Sequence, residues 1–491
     1  MSEHGESAEI IAAPARRGLL SPRVVTMIAR LQGVLMAIVL TATIVQTFIG
    51  AEWLRYPAEA AVVVFLVSVA FVGSTTARVF LVIALICIPV ALTWIEDPWT
   101  LLEQGIARSQ SFLAFFTAIL SLHEPAFNSP MIQEAGRFVA RQPGARRTLT
   151  MMLGGHLFGL MLNVGSMVLL GSLTMSRRKG TKPVRLSEPE IRQAAIASLR
   201  GFNSTAMWSP LSLTPLVVTA LVPGITSQAL IPAGLVCAAI TLTIGFLVSR
   251  HQDREVETAR DSEPLEAPVR MFGPVPVALL RILLLVATMF AAILAVSKAA
   301  NASIAVTVTL VIPAFSLAWM LLQSRGDVVR CVRGPIASLV FRVWPAQSPE
   351  VTLMAAAGFA SPVIAAAIPS EAIAGWLKSN SVHPALIGVM SFLAVFLGGL
   401  IGINPLIAIA VVVGIVSDPA SLGLDIAYFA MVLIVAWSFT AQLSPFTAST
   451  LLCARLYNTT SFRIAFVWQR LFAIICISLS LAAILIIGLL I

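Results

Sequence analysis

Long apolar stretches, separated by short polar loops rich in cations, set the pattern of this chain of 491 residues. Eleven stretches are long enough to read as membrane-crossing helices: 24–49, 60–76, 79–94, 106–122, 194–221, 227–248, 275–296, 302–322, 351–368, 427–456 and 465–491. Crossing takes about 20 apolar residues, with a lower limit near 17. Two further stretches, 148–173 and 384–416, are as apolar but carry glycines and a central Asn163 or Asn404. Their flanks decide how they run. Arg137, Arg141, Arg146 and Arg147 precede the first, and Arg177, Arg178, Lys179, Lys182 and Arg185 follow it, so both ends read as cytoplasmic. The second has only Lys378 before it, and Asp418 and Asp425 after it. A segment with both ends on one side enters and returns, so each reads as a re-entrant hairpin. The N-terminus is then inside and the C-terminus outside, and only Arg55, Arg108, Lys298 and Lys378 of the 32 Lys and Arg residues fall outside.

The pattern repeats. A tail (1–23) and a first span (24–49) precede a first half, 50–250, and a linker, 251–269, leads to a second half, 270–491. Each half has three spans, a hairpin, a proline-broken span and a final span. Five crossings is an odd number, so the halves are inverted relative to each other. Thr205-Ala206-Met207-Trp208-Ser209-Pro210-Leu211-Ser212 in broken span 194–221 matches Thr440-Ala441-Gln442-Leu443-Ser444-Pro445-Phe446-Thr447 in broken span 427–456. Phe127-Asn128-Ser129-Pro130 echoes Phe359-Ala360-Ser361-Pro362, and both Ser-Pro pairs are expected to start surface helices.

Composition narrows the class. With 58% hydrophobic and 11% charged residues and a mean hydropathy of +0.93, the chain is an all-α polytopic membrane protein with lipid as its surroundings. Its net charge of +9 sits in inter-span loops, the membrane pattern rather than one for nucleic acid. Cys87, Cys237, Cys331, Cys453 and Cys476 have no paired or metal-ligand spacing.

Proline-broken helix at membrane depth is tolerated where it lines a cavity or is buried in protein, and paired breaks in two halves point to a transporter's binding site. Ser209-Pro210, Ser444-Pro445 and Asn404-Pro405 each read as an N-cap followed by proline, the start of a half-helix. Asn163, Gly165 and Ser166 form the equivalent start at the first hairpin tip. Helix starts present free N–H groups and a positive dipole end to an anion. Asn203, Thr205, Ser212, Thr440, Gln442 and Thr447 supply the surrounding polar groups for a solute or for Na+. No Asp or Glu lies in either hairpin or near either break, which leaves His156 as the candidate proton carrier.

The stretch Ser129–Gln142 leading into Leu162-Asn163-Val164-Gly165-Ser166, with Gly398-Gly399-Leu400-Ile401-Gly402-Ile403-Asn404-Pro405, resembles the ion transporter superfamily, and within it the divalent-anion:sodium symporter family. The resemblance implies eleven spans in an inverted repeat, and a homodimer whose scaffold domain stays fixed while a transport domain moves like an elevator. It also implies Ser-Asn-Thr triplets at the hairpin tips. Here the asparagines match, while Leu162 and Ile403 replace the serine and Val164 and Pro405 the threonine.

The expected function is secondary active transport of a small, anionic, carboxylate-like organic solute, coupled to Na+ or H+, in a bacterial-type inner membrane. No other cofactor and no enzyme activity is expected. An exporter or exchanger of an inorganic anion on the same fold is the alternative. A membrane-embedded enzyme ranks below both, because the outer loops hold no catalytic cluster.

Overall fold

The computed structural model describes residues 21–140, 142, 144–175, 178–179, 182–183, 186–258, 277–323 and 328–491. The tail up to residue 20, Arg141, and the linker beyond residue 258 lie outside the described residues. The described chain is helical throughout, save a two-residue antiparallel ladder pairing Arg178–Lys179 with Lys182–Pro183. Among the described residues, ten helices are long and apolar enough to cross a membrane. The region expected to cross at 194–221 is not among them, because it is divided into Glu188–Ser204 and Leu213–Leu221. Several spans start earlier than their apolar residues do. Pro98–Leu120, for example, begins at Asp97, whose carboxylate accepts from Thr100 N. Polar capping residues escape a hydropathy reading but fix where a helix starts.

The chain divides into two compact units, each drawing on both halves: 1–126 with 289–370, and 127–288 with 371–491. In the first, Pro98–Leu120 and Ser348–Ala367 press together backbone to backbone. A methyl group at Gly105 would lie 2.7 Å from Phe359 O, and one at Gly358 would lie 2.9 Å from the Phe112 ring. Ser109 donates to Ala355 O at 2.7 Å across the same seam. Gln32 on the first span is fully buried and donates to Ser68 at 2.9 Å. Here one expectation fails: Ser361-Pro362 starts no surface helix. It lies inside Ser348–Ala367, with Ser361 buried and accepting from Arg108 Nη1 at 3.3 Å, because helix packing holds the proline in line. Ser129-Pro130 does start a helix, Pro130–Ala140. Exposed Trp53, Tyr56, Trp94 and Trp99 fall at the same end of the first four helices, an aromatic belt at one membrane face.

The second unit holds both apolar hairpins and both breaks. The arms Gly144–Leu162 and Gly165–Met175 fold back on each other. In one straight helix Gly154 and Leu169 would stand about 22 Å apart. Yet Gly154 abuts Val139, and Leu169 and Leu173 abut Gly136 one turn away. Asn163 makes the turn in the left-handed conformation (φ 50°), which asparagine tolerates better than most residues. The arms Pro384–Leu400 and Pro405–Ile415 are joined through Gly402 at φ 96°. The first arm of each hairpin packs on the helix that runs into its own half's break. The second arm packs on the half-helix that leaves the other break.

The closest approach to backbone among the glycines of this unit is at Gly201, where a methyl group would meet Met152 O at 2.0 Å. Gly201→Ala is expected to destabilise the protein by about 1–3 kcal/mol through overpacking. Gly375→Ala, with open space around it, should be neutral or stabilise by up to about 1 kcal/mol. Thermal unfolding of detergent-purified protein compares the two.

Candidate functional site

The two breaks have the same local geometry. In each, the serine hydroxyl accepts from the backbone N–H two residues on, past the proline: Leu211 N to Ser209 Oγ and Phe446 N to Ser444 Oγ, both 3.2 Å. In each, the next half-helix begins four residues after the serine, at Leu213–Leu221 with Ser212 at the N-cap position and at Ala448–Leu456 with Thr447 there. This corrects the expectation that Ser209-Pro210 and Ser444-Pro445 are themselves N-cap and first helical residue. The serine bonds its own backbone as a tight turn, a competing use of the hydroxyl, and Ser212 and Thr447 take the capping positions. Asn404 is an N-cap, its Oδ1 accepting from Leu406 N at 2.9 Å. Asn163 instead ends the first arm, its N–H donating to Gly159 O, and its carbonyl accepts from the Ser166 hydroxyl at 2.8 Å.

Two clusters result, one per break. In the first, His156 on the hairpin arm meets the broken span: Trp208 Nε1 donates to His156 Nε2 at 3.2 Å, and His156 Nδ1 contacts Ser204 Oγ at 2.7 Å. The Ser204 hydroxyl donates to Gly201 O, so it accepts from His156. That network assigns a neutral imidazole with its proton on Nδ1. Protonating Nε2 would break the Trp208 bond. Asn203 and Thr205, both buried, bond Leu199 O and Phe202 O on their own helix.

In the second cluster, Ser444 donates to Gly399 O of the hairpin at 2.7 Å, and the Thr440 side chain packs where a Gly399 side chain would sit. Two of the carbonyls that the break frees are taken by side chains. Ala441 O accepts from Thr447 at 2.9 Å and from Ser449 at 2.8 Å, and Gln442 O accepts from Gln469 Nε2 at 2.8 Å. Ser209 and Ser444 are buried, while Asn163, Ser212, Asn404 and Thr447 are half-buried. Gly402, beside Asn404 on the hairpin tip, lies against Phe446 of the break. Gly165 is buried in the first tip. Among the described residues no hydrogen bond joins Asn163 to Asn404.

Sequence reading passed over Arg200. It is buried on the broken span and donates to Gln469 Oε1 at 3.2 Å, Gly245 O at 2.9 Å and Ser249 at 3.0 Å, with its guanidinium 4.0 Å from the Phe472 ring centre. The available signal was an arginine inside an apolar span, which marks function or an internal partner.

The described residues form an all-helical fold of the polytopic membrane kind. The chain is similar to the YdaH transporter of Alcanivorax borkumensis, whose crystal structure has an unusual topology, with a TM-score of 0.54 at 13% identity over 84% of this chain and 98% of that one. At that identity the fold is what is shared. The likeness is to a transporter and does not single out the divalent-anion:sodium symporters. The sequence matches no family profile and no curated protein.

Ser209→Ala is expected to cost about 1 kcal/mol by removing one turn bond. Ser444→Ala, which also removes the hydroxyl bond to Gly399 O of the hairpin, should cost about 2 kcal/mol. Paired thermal unfolding curves measure the difference.

Proposed function

We propose that this protein is a secondary active transporter of a small anionic organic solute, coupled to Na+ or H+. The observation that carries the reading is the pair of matched Ser-Pro turns, each packed against its own hairpin within one compact unit. Two inverted copies of one element, meeting at membrane depth, are the architecture of alternating-access carriers. The half-helices that start at Leu213, Ala448 and Pro405 supply donor-rich, positive ends for an anion. On this reading both hairpins are re-entrant. The unit built from 127–288 and 371–491 is the transport domain of an elevator-type homodimer, and the other is its scaffold. Asn163, Ser166, Asn203, Thr205, Ser209, Ser212, Asn404, Thr440, Gln442, Ser444 and Thr447 line the solute and ion path. The protein sits in a bacterial-type inner membrane with its N-terminus inside and its C-terminus outside.

Proteoliposomes carrying the protein should accumulate a small carboxylate under an imposed Na+ or H+ gradient and lose that accumulation with the matching ionophore. Absence of gradient-driven flux for every solute tried would sink the proposal. Because its bonds hold His156 neutral, His156→Gln should leave the pH profile of that flux unchanged, and a displaced profile would make His156 the proton carrier.

The re-entrant topology has its own test. Single cysteines replacing Gln142 and Ser187 should react with an impermeant thiol reagent from one membrane face, and those replacing Ser381 and Asp418 from the opposite face. Labelling of Gln142 and Ser187 positions from opposite faces would turn the first hairpin into a full crossing.

A further inference from the structure

Gln442 stands two residues before the Ser444-Pro445 turn and is fully buried, yet neither its Oε1 nor its Nε2 has a hydrogen-bond partner. Its backbone is tightly held, since Gln442 O accepts from Gln469, whose Oε1 accepts from Arg200 Nε. Arg200 is fixed in turn by Gly245 O, Ser249 and the Phe472 ring. The relay of Arg200 and Gln469 runs from one broken span to the other and positions the residue whose amide is left unsatisfied. A buried amide with both ends unmade is costly, so such a group calls for a partner that is absent in this conformation.

We infer that the Gln442 amide reads the transported solute, and that the solute carries an amide-like group, a carboxamide or ureide, beside its anionic end. This rests on the transporter reading above. An amide offers two N–H donors and one carbonyl acceptor. A bare carboxylate satisfies only the donors and leaves Oε1 without a hydrogen. A carboxamide or ureide presents N–H and C=O side by side and closes two antiparallel hydrogen bonds with Gln442. The N-termini of the half-helices, which carry donors only, suit the carboxylate at the other end of the same molecule. Arg200 and Gln469 are positioning residues: they hold the turn that carries Gln442 and do not touch the solute. Both Gln442 heteroatoms are sealed from solvent, so the reading group meets its solute in another conformation of the carrier.

Three probes of one shape test this: succinamate, succinate and monomethyl succinate, titrated calorimetrically into detergent-purified protein. Succinamate is expected to bind roughly 100-fold more tightly than the other two, because a site built around paired hydrogen bonds rejects an analogue that leaves one unmade. Gln442→Met should level the three affinities. If that variant fails to fold, near-isosteric Gln442→Glu, which lacks the amide donors, should remove the succinamate preference. Gln469→Leu should narrow the ratio while keeping measurable binding, an effect on selectivity that a merely structural role would not produce. Equal affinities in the wild type, a preference that survives loss of the Gln442 amide, or no binding of any probe overturns the inference. Calorimetry needs no gradient, so succinamate binding without flux would fell the transport reading alone. Flux of carboxylates without a Gln442-dependent preference would fell this inference alone.

Discussion

Inside a bilayer no water completes a broken helix, so every backbone group that a proline frees must find a partner in the protein. The second break shows this most fully. Phe446 N goes to the Ser444 hydroxyl, Ala441 O to Thr447 and Ser449, and Gln442 O to Gln469. The unwound segment is held almost as firmly as the helices around it. That allows a polar, shaped feature to persist at a depth where hydrocarbon would otherwise demand continuous helix.

The same constraint ties the hairpins to the breaks. Ser444 bonds its own turn and also Gly399 O, so the turn and the hairpin arm are one hydrogen-bonded piece. On the other side His156 plays a comparable part, bridging the hairpin arm to Ser204 and Trp208. The two halves solve one problem with different chemistry, a serine in one and an imidazole in the other. Matching backbone turns do not require matching side chains around them. Glycine makes the close packing feasible in both, at Gly201 against Met152 and at Gly399 against Thr440.

Much of this was legible in the chain. Hydropathy found the spans because lipid-facing helices are apolar along their whole length, and the paired Thr-Ala-x-x-Ser-Pro segments marked both breaks. What escaped depended on contacts between distant residues or on competing uses of one side chain. Ser209 and Ser444 look like helix caps, but a serine two residues before an amide can close a turn instead, and only packing decides between them. Ser361-Pro362 looks like a helix start, yet Ser348–Ala367 continues through it because its neighbour Pro98–Leu120 leaves no room to turn aside. Arg200 and Gln469 lie 269 residues apart, and no local pattern announces that they meet.

The seam between Pro98–Leu120 and Ser348–Ala367 has a further consequence. With Gly105 and Gly358 facing opposite backbones or rings at under 3 Å from any added methyl, the two helices have no slack between them. They behave as a single strut. Substitutions along that line should therefore register as protein that never accumulates, whereas altered selectivity should map to the unit that holds the breaks.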